Sequence, residues 1–150
     1  MKKQSGAAAL EFALVFTLFL TFLLGIIDFS RMVLTWNSAN EATRWGARTA
    51  VVCNRGAAAP LVNMQKILPQ LTAANVKIEW YDATGNISGT CDATNCVGVN
   101  VRIEALDYQW ISPIAGSAKL AGFNMPAFST YLPRESMGQP TSSAISCPTS

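Results

Sequence analysis

The stretch SGAAALEFALVF, residues 5–16, opens the most apolar segment of this 150-residue chain. It contains one carboxylate, Glu11, near the start of an apolar run that continues to Ile27 without another charge. Placing an ionised carboxylate in hydrocarbon costs about 2.5–3.5 kcal/mol. Gly6 stands immediately before the run. Both the carboxylate and the glycine therefore need a reason that a simple apolar helix does not supply.

Residues 7–27 provide about the 20 apolar residues that a membrane-spanning helix requires. Lys2 and Lys3 precede them, which predicts a cytoplasmic N-terminus and an exported remainder. A secretory signal peptide would be followed by small residues at a cleavage site, and no Ala-x-Ala pattern follows Ile27. A plain signal anchor fits the length and the charges but leaves Glu11 unexplained, unless its carboxylate simply snorkels to the cytoplasmic interface.

Cleavage after Gly6 would explain both features. Ala7 would then carry a free α-amine, which is cationic at neutral pH. Glu11 of a neighbouring subunit can pair with that amine inside an apolar helix bundle, where either charge alone would be costly. Glu11 would thereby set the register between packed helices.

Gly6, the small or apolar residues after it and the pair Glu11-Phe12 resemble the processing site of type IV pilins. The short leader, residues 1–6, is most similar to the tight-adherence (Tad, or Flp) branch of these systems. Residues 25–52, GIIDFSRMVLTWNSANEATRWGARTAVV, resemble TadE-like pseudopilins. The elements that carry this second resemblance are Asp28, Ser30-Arg31 and the stretch from Ala42 to Arg48. The resemblance covers about the first third of the chain.

A second section of the same helix is predicted beyond the membrane. No proline interrupts residues 7–52, and from residue 28 the apolar side chains become periodic, which predicts an amphipathic stem over 28–52. Small residues three or four apart form a strip that another backbone can approach closely. The members of this small-residue strip are Ala39, Ala42, Gly46 and Ala50. They pack against the protein's own β-domain, against another subunit, or against both.

The exported part, residues 53–137, is predicted to be a small α+β domain. A short helix begins near Leu61 and ends near Pro69. Residues 76–81 and 97–105 alternate in polarity and predict an antiparallel hairpin, with residues 127–132 as a third strand. Within the second run the inward set is Val97, Val99, Val101, Ile103 and Ala105. The predicted fold is α+β and pilin-like, with a long N-terminal transmembrane and stem helix packed against a small antiparallel β-sheet domain.

Four cysteines agree with an oxidising compartment. Cys91 and Cys96 can close a small loop, which leaves Cys53 and Cys147 to tie the tail to the stem. Four cysteines allow three connectivities, so this pairing is one of three. The alternative to disulfides is a four-cysteine zinc site, although the spacing lacks two close Cys-x-x-Cys pairs.

Two further elements are predicted in the exported part and after it. They are a short helix from Ser112 to Leu120 and a flexible Ser-, Thr- and Pro-rich tail, residues 138–150.

The composition argues against several function classes. The chain has no histidine and a net charge of +2, so it lacks His-based catalysis and a basic surface for nucleic acid. We expect the chain not to be an enzyme and to bind no metal and no cofactor.

The resemblance implies a minor pilin or pseudopilin of a Tad-type pilus. It also implies a location in the bacterial inner membrane with a periplasmic C-terminal domain, and incorporation into an extracellular pilus is a further option. Its implied partners are the prepilin peptidase, the major pilin, a sister minor pilin and the membrane assembly platform. The alternative is a permanently anchored periplasmic or cell-surface binding protein.

Overall fold

A computed structural model describes residues 5–53, 55–91, 96–111, 123–133 and Cys147. Its two helices are α1 (Ser5–Val52) and α2 (Ala59–Ile67). Its strands are β1 (Val76–Tyr81), β2 (Gly98–Ile103), β3 (Asp107–Tyr108), β4 (Phe123–Asn124) and β5 (Phe128–Pro133). The predicted α+β class is confirmed, with one long N-terminal helix and a small three-stranded antiparallel sheet in a pilin-like layout.

The chain divides into two compact units. The first contains Met1–Leu34 and Gln109–Phe123, and the second contains Thr35–Tyr108 and Asn124–Ser150. Helix α1 contributes to both units. The predicted division at the membrane surface, between residues 27 and 28, stays a prediction. The predicted helix from Ser112 to Leu120 lies outside the described residues, as does the predicted flexible tail apart from Cys147.

The short helix α2 has recognisable start and stop signals. Pro60 occupies its first turn, where the missing N–H is not needed. Leu68 caps its end, with a backbone N–H that donates to Met64. Pro69 follows, and a residue before proline avoids the helical region. The predicted end near Pro69 therefore agrees with the structure.

The three-stranded sheet has the order β1-β2-β5, and both pairings are antiparallel. The predicted hairpin forms with Trp80 opposite Val99 and Ile78 opposite Val101. The third strand joins the other side of β2, with Thr130 opposite Val101. The inner face carries the buried side chains of Trp80, Val99, Val101, Ile103 and Phe128.

Two side chains of the predicted inward set are exposed instead. Val97 is 40% exposed and Ala105 is also exposed. Alternation holds only within the paired residues Gly98–Ile103, and both side chains lie beyond them. Ala105 also has a φ of 52°, a left-handed conformation that turns the chain out of the strand. The prediction that these two residues point inward was therefore wrong.

The outer face of the sheet carries an ion-pair network. Arg102 lies 3.5 Å from the Glu79 carboxylate and 3.6 Å from that of Glu104. Lys77 bonds Glu104 from the neighbouring strand, and this hydrogen bond holds the pKa of Glu104 below its usual value. These charges cover the solvent side of the sheet and leave the inner side to the helix.

The small-residue strip of α1 is buried within this one chain. Ala39, Ala42 and Ala50 are at most 1% exposed, and Gly46 is buried as well. A Cβ added to Gly46 would lie 2.5 Å from Sδ of Met64 and 3.2 Å from Cγ1 of Val101. The strip therefore packs on the chain's own domain. The intramolecular contact predicted above is present in the structure, and contact with another subunit stays a prediction.

Polar and aromatic contacts fix the same part of α1 to strand β5. The hydroxyls of Thr43 and Thr130 lie 2.9 Å apart, and the buried Thr43 also donates to the carbonyl of Asn40. Trp36 meets Phe128 edge to face, with ring centroids 5.0 Å apart. Such paired groups specify the lateral position of a helix on a sheet more sharply than apolar contact does.

Gly46 gives a test of this packing. We expect Gly46→Leu to lower the free energy of unfolding by about 3 kcal/mol, because the added side chain must displace Met64 and Val101. Thermal unfolding in detergent should then show a melting temperature lower by about 10 °C. Arg44→Leu, an exposed change two residues away, is the control and should shift it little.

A second variant separates crowding from other effects of the leucine. Met64→Ala combined with Gly46→Leu opens space where the clash occurs, so the double variant should recover part of the loss. A Gly46→Leu protein as stable as the wild type would contradict this packing.

Candidate functional site: the exposed half of the first helix

The first half of α1 exposes an unusually apolar surface. Within the first unit, the large apolar side chains between residues 10 and 27 are 38–71% exposed, except for the half-buried Leu24. The largest exposed fractions belong to Leu10, Phe12, Phe22 and Ile26. An exposed apolar surface of this extent marks a membrane or protein contact site.

The hydroxyl groups in this half of the helix need no outside partner. Thr17 donates to the carbonyl of Ala13, and Thr21 donates to that of Thr17, both at 2.8 Å. Ser30 donates to the carbonyl of Ile26 at the same distance. Polar groups must be satisfied internally when a segment enters hydrocarbon. The surface is therefore compatible with lipid as well as with packed helices.

Glu11 is the one carboxylate on this exposed apolar surface. Its side chain is exposed, and no described residue forms an ion pair or hydrogen bond with it. The next residue, Phe12, is 69% exposed and stacks on Phe16, with centroids 5.7 Å apart. Both predicted register residues are therefore available to another molecule, and their role in assembly stays a prediction.

Gly6 has no packing reason to be glycine. A Cβ built there meets no atom within 4 Å among the described residues. Glycine in a helix costs about 1 kcal/mol relative to alanine. Residues Gly6 and Ala7 lie at the exposed start of α1. The packing therefore gives no reason for glycine at this position, and cleavage at this bond stays a prediction.

Asp28 has a structural partner that sequence reasoning did not find. Its side chain is 3% exposed and accepts a hydrogen bond from the backbone N–H of Ile111 at 3.1 Å. Arg31 lies 3.9 Å away on the next turn. All three residues belong to the first unit. Asp28 therefore fixes the described end of the 109–111 segment to α1, a contact across 83 residues of sequence that no local pattern signals.

The structure brings the four cysteines together in the pairs suggested above. The Cα atoms of Cys53 and Cys147 are 5.5 Å apart, and those of Cys91 and Cys96 are 5.2 Å apart. Arg55 adds a clamp that the sequence did not reveal. Its guanidinium donates to the carbonyl of Ser88 at 2.9 Å and to that of Cys91 at 3.2 Å. The small disulfide loop is thus held to the turn after α1.

The turn that follows β1 is ordered by Asp82. Its carboxylate accepts hydrogen bonds from the Thr84 side chain and the backbone N–H groups of Thr84 and Asn86. The bond from the Thr84 hydroxyl is the main reason that the pKa of Asp82 lies below its ordinary value. The stretch DATGN, residues 82–86, is therefore a hydrogen-bonded turn of the second unit.

Among the described residues, α1 is the helix long and apolar enough to cross a membrane. The span runs from Gly6 to Val52, with a mean hydropathy of 2.4 in its most apolar window, none of which is buried. The family model for TadE-like proteins matches residues 6–48, the section that contains this window. Over this segment the chain is similar to TadE-like proteins. The match begins at Gly6 and ends at Arg48, between Gly46 and Ala50 of the small-residue strip.

The TadE-like match supports involvement in the Tad pilus system. One N-terminal apolar helix fits a single-pass membrane protein of that system. The match covers less than a third of the chain, so the sheet and α2 lie outside it. No curated protein and no solved structure matches the chain. The match suggests pilus-system partners in a membrane context, and it identifies no individual partner.

Proposed function

We propose that this TadE-like protein is a minor pilin or pseudopilin that takes part in assembly of a Tad-type pilus. One observation carries the proposal: the matched helix exposes an apolar surface with a single unpaired carboxylate among the described residues. A permanent anchor gains nothing from that carboxylate. A subunit that leaves the lipid for a helix bundle gains a register contact from it.

The proposed mechanism is structural and involves no catalysis. A prepilin peptidase cuts after Gly6, and the new amine of Ala7 meets Glu11 of a neighbouring subunit. Residues 7 and 11 are four apart, so they lie on one face of the helix. Each subunit then offers one cation and one anion on the same surface, and neighbours can satisfy both by shifting along the helix axis.

The same proposal assigns location and partners. The chain sits in the inner membrane with its N-terminus in the cytoplasm and its sheet in the periplasm, because Lys2 and Lys3 precede the apolar segment. Two disulfide-bonded pairs suit an oxidising compartment. The major pilin, a sister minor pilin and the assembly platform are the proposed partners.

Deletion of the gene tests the proposed function. We expect loss or a strong reduction of pili by electron microscopy, restored by the full chain supplied on a plasmid. Immunoblots of sheared filaments and membranes then report whether the protein enters the pilus. Wild-type piliation in the deletion strain would favour the anchored binding protein instead.

A further inference from the structure

We propose that a groove between the C-terminal turns of α1 and the helix α2 docks an acidic segment of a partner protein. The groove lies within the second unit and encloses a cavity of about 300 Å³. Its lining includes Trp45, Arg48, Lys66 and the cysteines Cys53 and Cys147. The nature of the partner rests on the proposed function, under which it is another protein of the pilus.

The floor of the groove is apolar. Val52 and Val62 are half-buried, Ala59 is buried, and the pair Cys53 and Cys147 closes one side. Trp45 stands at the rim with 48% of its surface exposed. Tryptophan is among the residues that contribute most of the binding energy in protein interfaces. The floor thus suits an apolar or aromatic side chain.

A hydrogen-bond chain holds the cationic rim in place. Lys66 donates to Oδ1 of Asn63 at 3.1 Å, and Nδ2 of Asn63 donates to the hydroxyl of Thr49 at 3.2 Å. Thr49 in turn donates to the carbonyl of Trp45 at 2.9 Å. Lys66 thereby uses one of its three N–H donors and keeps two for a ligand. Fixing the ammonium in advance reduces the entropy lost on binding.

The charge of the groove identifies the chemistry of its occupant. Arg48 and Lys66 are both exposed, and no described carboxylate lines the cavity. Glu41 lies outside the lining, where it accepts from Nε1 of Trp45 at 2.8 Å and pairs with Arg44 at 4.0 Å. Two cations without an acidic neighbour in the lining are complementary to an acidic segment.

A second copy of this chain is a poorer occupant than a different protein. The half-buried carboxylates beside its sheet already have partners, since Glu79 and Glu104 pair with Arg102. Asp82 accepts the hydrogen bonds of its own turn, and Asp28 is buried. Asp107 is exposed, but its neighbours Leu106 and Tyr108 are buried, so it offers no apolar side chain beside the carboxylate. The proposed function places Glu11 in the helix bundle instead. We therefore assign the groove to an acidic residue, adjacent to an apolar one, on a different protein.

Site-specific photocrosslinking in intact cells tests the groove. A photoreactive phenylalanine analogue replaces Trp45 in the full chain, and mass spectrometry identifies the crosslinked peptide. The same analogue at the exposed Asn40 is the positional control. We expect one crosslinked segment containing Asp or Glu. Its yield should fall about fivefold with Arg48→Glu or Lys66→Glu, the effect of reversing one exposed charge contact.

Charge exchange makes the result specific. Arg44→Glu, the same change four residues earlier, should leave the crosslink unchanged. Changing the identified acidic residue to arginine should restore the crosslink in the Arg48→Glu background. A crosslink insensitive to Arg48→Glu and Lys66→Glu, or formed mainly with lipid or with a second copy, would overturn the proposal. A charge-dependent crosslink to a protein outside the pilus would support the groove and count against the proposed function.

Discussion

Replacing Glu11 with glutamine should abolish pilus assembly while leaving membrane insertion normal. Glutamine keeps the size of the side chain and removes the charge that would pair with a neighbouring Ala7 amine. Breaking one partner of a buried ion pair costs about 3–5 kcal/mol, because the other charge stays buried and uncompensated. We therefore expect at least a tenfold drop in pili per cell by electron microscopy, with unchanged protein in the membrane fraction.

Glu41→Gln is the matched control for Glu11→Gln. It changes an exposed glutamate of the same helix α1, and glutamine can still accept the hydrogen bond from Trp45. Piliation should stay normal in this variant. Normal piliation in Glu11→Gln as well would reject the register role and favour snorkelling of the Glu11 carboxylate to the cytoplasmic interface.

Cys147→Ser should destabilise the second unit much more than Cys91→Ser. The two disulfides close loops of very different length, with sequence separations of 94 and 5 residues. On the chain-entropy estimate the longer loop contributes roughly 5 kcal/mol and the shorter about 2 kcal/mol. Thermal unfolding in detergent should therefore show the larger fall in melting temperature for Cys147→Ser, whose side chain is only half-buried.

Thiol mapping on the same variants tests the connectivity. The wild-type protein should show no alkylated cysteine after denaturation without reductant, and Cys147→Ser should show alkylation at Cys53 alone. Labelling of Cys91 or Cys96 in that variant would reveal a different pairing. Equal destabilisation by Cys147→Ser and Cys91→Ser would contradict the loop-length estimate.

Local patterns in the sequence predicted the elements of this fold well. The run VKIEWY gave the bounds of β1 because its alternation is bracketed by turn residues, and Pro69 gave the end of α2. The alternation failed at Val97 and Ala105, since periodicity does not show where a ladder of hydrogen bonds stops. The short strands β3 and β4 were not predicted, because two residues carry no period.

Local patterns in the sequence could not predict contacts between distant parts of the chain. The spacing of Gly46 suggested close packing, but its partner Met64 follows from how α2 docks. The same docking creates the groove from Lys66, Asn63 and Thr49, none of which forms a motif. By contrast, Gly6 and Glu11 were noticed because each is locally unfavourable. Under the proposed function both residues serve another molecule rather than the fold.

The N-terminus of the membrane-extracted protein tests the central claim most directly. Intact mass and N-terminal sequencing, with and without the host's prepilin peptidase, decide whether the chain is processed as a pilin. We expect a start at Ala7 that depends on the peptidase, which would explain the unpacked Gly6 and supply the amine for Glu11. A start at Met1 under both conditions would contradict the pilin assignment and leave a permanently anchored protein.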